Sequence, residues 1–266
     1  MLAEILRRIR LQSPLVHCIT NYVTANDCAN LLLAAGASPM MADEPLEMEE
    51  INALSGAHVF NLGTPNAARI EAMRIAGRAA NATGKPVVFD PVGVGSSAFR
   101  RQAARQLLDE VRFSIIRGNA SEIRTLARGD MAHRGVDADF EERAPRQNAV
   151  LLARRTGAVV ALTGDQDIVT DGETIFRVRN GHPMMRTVTG AGCMLSALAG
   201  ACAAANPDKP LQAALAAVCA MGVCGEHAHR RMSDREGNAS YRNHIIDALY
   251  RLTPEELEEE AHYETE

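Results

Sequence analysis

The sequence has no surplus of basic residues. Its 28 Lys and Arg face 33 Asp and Glu, a formal net charge of −5. That balance leaves no footprint for nucleic acid or for an anionic membrane surface. No apolar run approaches the ~18 residues that a membrane span needs. The unbroken apolar core of a signal peptide is also missing. The opening "MLAEILRRIRLQSPLV" interrupts Leu and Ile with Glu4, Arg7, Arg8 and Arg10, the pattern of an amphipathic helix. A cytoplasmic protein is expected. No internal repeat and no Pro/Gly/Ser-rich linker divides the chain, so residues 1–266, 47% hydrophobic, are expected to form a single domain.

Cysteine is sparse, at positions 18, 28, 193, 202, 219 and 224. A chain of this size needs no disulfide staples, and most of these thiols sit in apolar helical patterns, where they act as small hydrophobes. The run Cys219, Cys224, His227, His229 invites a zinc reading. It fails because residues five apart on a helix point in different directions.

What is present is alternation. Short β-like runs at 15–20, 38–42, 58–63, 86–90, 113–118 and 158–164 are separated by helix-period stretches at 26–35, 46–54, 65–83, 98–111, 119–127 and 145–156. This is the sequence form of a mostly parallel sheet wrapped by helices on both faces, and the near-continuous apolar character of the runs agrees with it. At 167–180 an Asp171-Gly172 pair between two β-rich runs predicts a hairpin. Helices are then expected at 191–205, 209–228, 239–252 and 253–262. Thr253 caps the last of these, and a solvated, frayed tail follows. The polar stretch 128–147 is read as a surface connection, with a mobile flap as the alternative.

In open α/β sheets ligands sit beyond the carboxyl ends of the strands. Asn21, Met41, Gly63, Thr64, Asp90, Arg117, Asn119 and Thr163 all fall there. Residues 93–98 match the dinucleotide form G-x-G-x-x-A, which would make the protein an oxidoreductase. Asp90 and Pro91 intervene before the glycines, and the run is the fourth instead of the first, so the match carries little. Asp90 is a carboxylate at a strand end, suited to hold water on a magnesium ion or to orient a hydroxyl. Asn119 with Glu122 forms a helix-capping box, or alternatively orders waters around Mg²⁺ while Arg117 meets phosphate. The Walker pattern is absent. Instead Gly190, Ala191 and Gly192 lead into a helix, where free amide groups and the helix dipole form an anion hole for a phosphoryl group in transfer, or alternatively where the glycine pair makes only a tight turn before a packed helix. Cys193 on that first turn is expected either to be partly thiolate, as at helix N-termini, or to serve only by its size beside a substrate hydroxyl.

Seven segments, "SPLVHCITNYVTAN" (13–26), "GASPMMA" (36–42), "NLGT" (61–64), "DPVGVG" (90–95), "RGNASEI" (117–123), "LTGDQDIVTDG" (162–172) and "VTGAGCMLSA" (188–197), resemble those of the hydroxyethylthiazole kinase family of the ribokinase-like superfamily. The resemblance covers essentially the whole chain. It implies a ribokinase-like α/β fold and transfer of the ATP γ-phosphate to a thiazole alcohol in thiamine salvage, with Mg²⁺ as cofactor. It also implies a homotrimer with sites between subunits. It assigns Met41, Gly190, Asn21, Gly63 and Thr64 to the substrate, and Arg117, Thr163 and Asn119 to ATP. Asp90 and Glu122 fall to the metal, through water, and Cys193, Gly192 and Ala191 to the catalytic turn. The family generally reads G-T-G-C where this chain reads G-A-G-C, so a threonine hydroxyl is lost while the backbone anion hole is kept. A kinase of the related pyrimidine alcohol is the nearest alternative, and an inactive ligand-binding homologue a more distant one.

Overall fold

A computed structural model describes residues 1–129 and 145–266. Nine strands form one sheet in the order β2-β1-β3-β4-β5-β6-β7-β8-β9. They are β1 Leu15–Ile19, β2 Ser38–Met40, β3 Ala57–Asn61, β4 Val87–Asp90, β5 Ile115–Asn119, β6 Val159–Thr163, β7 Asp167–Thr170, β8 Ile175–Val178 and β9 Tyr263–Thr265. The first six run parallel, and β7, β8 and β9 are antiparallel to their neighbours.

Two core clusters lie on opposite faces of this sheet. Alternate strand residues feed them in turn. Val16, Cys18, Val59, Val88, Ile115 and Val159 point to one face, and Ile19, Phe60, Phe89, Ile116 and Val160 to the other. A strand with both faces covered needs apolar residues at every position, which is why these runs show little alternation. Helices Leu2–Gln12, Ala25–Ala35, Ala191–Ala205, Pro210–Arg231 and Asn238–Arg251 supply the first face. Met48–Leu54, Ala67–Ala82, Ala98–Glu110, Ala120–Arg128 and Pro145–Thr156 supply the second. The amphipathic opening behaves as its pattern dictates, burying Leu2, Ile5, Leu6 and Ile9 at helical spacing. Pro210–Arg231 is long and apolar enough to cross a membrane by composition, yet it is a core helix, with an unbroken buried run from Ala213 to Gly225.

The hairpin at 167–180 forms with Gly172 at φ 97° in its turn, a conformation that favours glycine. Thr253 caps Pro254–Glu260 in a reciprocal box with Glu256. The tail departs from expectation. Instead of fraying, Tyr263–Thr265 adds β9 to the open edge of β8, and the Tyr263 ring packs edge-on against Phe176. Three residues carry too little propensity of their own to announce a strand; the unpaired edge of β8 orders them. Most of the 128–147 connection lies outside the described residues.

Candidate active site

The parallel strands deliver their last residues to one edge of the sheet. At its centre is Asp90, the end of β4, which is fully buried. Its Oδ2 accepts hydrogen bonds from Asn61 Nδ2 at 2.9 Å and from Ser196 Oγ at 2.8 Å. Its Oδ1 is buried with no hydrogen-bond partner among the described residues, and Arg117 Nη1 stands 3.8 Å away. Burial pushes the Asp90 carboxyl up to about 6; the Arg117 charge opposes this and the Glu122 charge adds to it.

Asn61 was not singled out from sequence, and it is the hub beside Asp90. Its Oδ1 accepts from Gly63 N at 2.8 Å and from Asn21 Nδ2 at 3.1 Å. A backbone amide can only donate, so the amide orientation is fixed and its NH₂ must face Asp90 and the Cys193 sulfur. Asn61 Nδ2 lies 3.3 Å from that sulfur and Asn21 Nδ2 3.2 Å. Gly63 is required by contact, because a Cβ there would fall 2.6 Å from Asn21 Cβ. Thr64 Oγ1 accepts weakly from Tyr22 N at 3.4 Å. Asn21, Asn61, Gly63, Asp90 and Cys193 thus form one connected set, to which Thr64 is adjacent.

Cys193 opens the helix Ala191–Ala205 behind Gly190, which sits at φ 85°. A Cβ at Gly190 would strike Thr24 Cγ2 at 2.2 Å. Met194 N donates to Gly190 O at 2.8 Å as the first helical bond, which leaves the Gly192 and Cys193 amides as first-turn donors with no helical carbonyl to bond. The helix terminus was expected to favour a thiolate. The structure corrects this: burial pushes the Cys193 thiol up, and the Asp90 charge pushes it further, against hydrogen bonds from Thr24, Asn61 and Asn21 that favour the anion. That direction favours the other expectation, in which Cys193 serves by its size beside a hydroxyl.

Arg117 leaves β5 and lays its guanidinium over the glycine turn. A Cβ on Gly192 would meet Nη1 at 2.1 Å, and Nη2 donates to Thr163 Oγ1 at 2.6 Å. Arg117, Thr163, Gly190, Ala191 and Gly192 all line a cavity of about 640 Å³, together with the β6–β7 turn and the loop after β8. Asp167 also lines it, its carboxyl pushed up to about 6 by burial against a bond from Gly164 N; neither it nor His182, whose ring stacks on His229 at 3.6 Å, was singled out as a site residue.

Asn119 and Glu122 make the reciprocal capping box. Glu122 Oε2 accepts from Asn119 N at 2.8 Å and Oε1 from Gly93 N at 2.9 Å, so both oxygens already hold backbone amides. The glycines of 93–98 therefore shape a turn that ends at the Ser97 cap of the next helix. Met41 stands apart from the cavity, half-exposed beyond the end of β2. The loop that carries it is pinned by His17, whose Nε2 lies 2.8 Å from Ala42 O. That carbonyl requires the proton on His17 Nε2; His17 Nδ1 lies 2.9 Å from His58 Nδ1, and His58 Nε2 lies 3.0 Å from Asn52 Oδ1. Burial drives both imidazoles toward the neutral form, His17 to about 4 and His58 to about 3.

A glycine-led turn under an arginine, at the carboxyl edge of a mostly parallel sheet with an antiparallel flank, belongs to the ribokinase-like phosphotransferases. The pyridoxal kinase from Staphylococcus aureus in complex with AMP-PCP shares the fold, with TM-score 0.61 at 16% identity over 95% of this chain and 97% of that one. Nearer relatives narrow the class. A structure of hydroxyethylthiazole kinase from Pyrococcus horikoshii superposes with TM-score 0.89 at 35% identity, covering all of this chain and 98% of the other. The hydroxyethylthiazole kinase of Clostridium acetobutylicum is 50% identical over the full length of both chains, and that of Desulfovibrio desulfuricans 49% identical over 93% of this chain and 92% of its own. The Hydroxyethylthiazole kinase family model matches residues 6–255. The chain belongs to the hydroxyethylthiazole kinase family.

Proposed function

We propose that the protein moves the γ-phosphoryl group of ATP to the hydroxyl of 4-methyl-5-(2-hydroxyethyl)thiazole, a cytoplasmic salvage step toward thiamine diphosphate. The observation that carries this reading is a junction. The Cys193 turn joins the nucleotide-sized cavity on one side to the Asn21–Asn61–Gly63 set on the other. ATP lies along Arg117 and Thr163 with its terminal phosphate at the amides of Gly192 and Cys193. The alcohol lies against Asn21, Gly63 and Thr64, with Met41 on its ring.

Transfer through a loose transition state calls mainly for alignment and charge stabilisation. The first-turn amides and the Arg117 guanidinium provide that charge stabilisation from fixed positions. A neutral Cys193 thiol keeps the hydroxyl in line and adds no negative charge beside the incoming phosphate. The uncommitted buried Oδ1 of Asp90 fits a hydrated cation; Glu122 would serve it only as an acceptor beyond its backbone bonds. Mg²⁺ held there through water would neutralise charge on the β- and γ-phosphates.

The homotrimer belongs to the same reading. Tyr22 and Val23, both 67% exposed, follow β1, and Leu46, 92% exposed, follows Met41 beyond β2, apolar surface that a second subunit would cover. The deciding experiment is turnover with Mg²⁺ and ATP on the thiazole alcohol and on the pyrimidine alcohol, with chain mass measured in solution. Thiazole phosphate formation by a trimer is expected. Exclusive use of the pyrimidine overturns the assignment.

A further inference from the structure

Three strand-end loops build the proposed acceptor pocket: 20–24 after β1, 41–43 after β2 and 61–64 after β3. One side chain touches all three. Arg69 lies in the helix Ala67–Ala82 and is 5% exposed. Its Nη2 donates to Thr20 O. Its Nη1 donates to Thr64 O at 3.2 Å and to Thr64 Oγ1 at 2.8 Å. Its Nε lies within ion-pair distance of Asp43 Oδ2, 2.9 Å, without hydrogen-bond alignment, and its Cζ lies 4.3 Å from the centre of the Tyr22 ring.

We propose that Arg69 is a positioning residue for the alcohol acceptor: one guanidinium ties the three loops together and so sets the shape of the pocket that selects the substrate. The proposal rests on the acceptor reading of Asn21, Met41, Gly63 and Thr64. Arg69 differs in kind from Arg117. Arg117 presents its charge to the cavity that takes phosphate, whereas both Nη groups of Arg69 are used on carbonyl and hydroxyl oxygens of the loops and its charge is matched by Asp43. It is therefore not a phosphate ligand. A planar fork can reach three loops at once and a lysine ammonium cannot. Its own placement is firm, because Asn66 caps the helix by accepting from Arg69 N at 2.9 Å. The Met41 loop is thus held twice, by its main chain at His17 and by its Asp43 side chain at Arg69.

The test compares wild type with Arg69→Gln, Arg69→Lys and Asp43→Asn in the full chain. In Arg69→Gln, KM for the thiazole alcohol rises about tenfold or more while KM for ATP stays within about twofold, since only ground-state acceptor binding is disturbed. Arg69→Lys fails to restore it. Asp43→Asn, on a half-exposed loop, raises the alcohol KM by a few-fold and lowers the melting temperature less than Arg69→Gln does, so the question stays decidable if Arg69→Gln does not fold. Amide hydrogen exchange at 41–46 quickens in Arg69→Gln and Asp43→Asn before any substrate is added. That measurement separates this proposal from the functional reading: wild type inactive on the thiazole but with loop exchange responding to Arg69 overturns the substrate and keeps the positioning role. Unchanged exchange at 41–46, or parallel changes in kcat and both KM values, overturns the positioning role.

Discussion

Gly192→Ala is the most telling single change. Gly192 lies in the first turn of a helix and its φ is not positive, so its backbone accepts alanine without strain. A helical Gly→Ala change ordinarily stabilises by ~0.5–1 kcal/mol. The new methyl would sit 2.1 Å from Arg117 Nη1 and 2.6 Å from both Cζ and Nη2. Reaching ordinary contact at 3.4 Å drives the guanidinium back by about 1.3 Å. The far end of an arginine gives way cheaply, so the fold survives. What is lost is the 2.6 Å bond to Thr163 and the approach of the charge to the glycine turn. A hydrogen bond to a charged group is worth ~1.5–3 kcal/mol, which predicts a fall in kcat/KM for ATP of roughly 10- to 150-fold. The assay is steady-state kinetics beside a thermal melt. Activity falls while the melting temperature holds or rises. On an Arg117→Ala background the added loss shrinks to less than about twofold, because both changes remove one interaction. Full activity in Gly192→Ala, or equal losses on both backgrounds, refutes the reasoning.

Gly200→Ala, eight residues along the same helix, should do the reverse. Its Cβ would meet Val59 Cγ2 at 2.5 Å and Val16 Cγ1 at 3.1 Å in the core, so the melting temperature drops by an amount equivalent to ~1–3 kcal/mol while kcat per folded molecule is kept. Turnover should climb with pH through about 6 as Asp90 ionises, and Asn61→Ala, which removes a donor to that carboxylate, should move the midpoint upward; a flat profile between pH 5 and 8 contradicts this. The same group has a stability sign. Its folded pKa lies above the usual carboxylate value, so its contribution is present at acid pH and is lost as pH rises through about 6. His17 and His58 act oppositely: their folded values lie below the ordinary 6.5, so stability falls as pH drops from there toward 4, by ~1.4 kcal/mol per pH unit for each proton. Asp167, also raised to about 6, acts with Asp90, so two groups oppose two and the melting temperature should change little between pH 6 and 4. Nitrogen NMR showing either ring protonated at pH 6 would overturn that expectation.

Much of the architecture was readable because its cause is local. Covered strands must be apolar throughout, and Asn119 and Glu122, three residues apart, spell a capping box whatever surrounds them. The dinucleotide-like glycines yielded to the same logic, since they end at the cap made by Ser97. What escaped reading depends on partners far along the chain. Asn61 gains meaning only from Asp90 and from Cys193, 132 residues away. Arg69 looks like any polar residue on a helix until Thr20 and Asp43 fold over it. A thiolate at Cys193 was one of two expectations and came from the local helix terminus; burial and Asp90, both products of the tertiary fold, push the thiol the other way. Tyr263–Thr265 likewise takes its order from an edge that exists only once β8 is in place.

The reversal of strand direction after β6 splits the labour of the molecule. Apart from Gly190 and Cys193 on the glycine turn, the proposed alcohol-side contacts hang from β1, β2 and β3 on the parallel half of the sheet, whereas the cavity wall comes largely from the β6–β7 turn, the loop after β8 and the helices behind them. The proposed acceptor and phosphate sides meet along the Asp90–Cys193 seam. Substitutions that retune which alcohol is accepted can therefore accumulate on one flank without disturbing how the triphosphate is gripped on the other, and a directed search for new acceptors belongs in those first three loops alone.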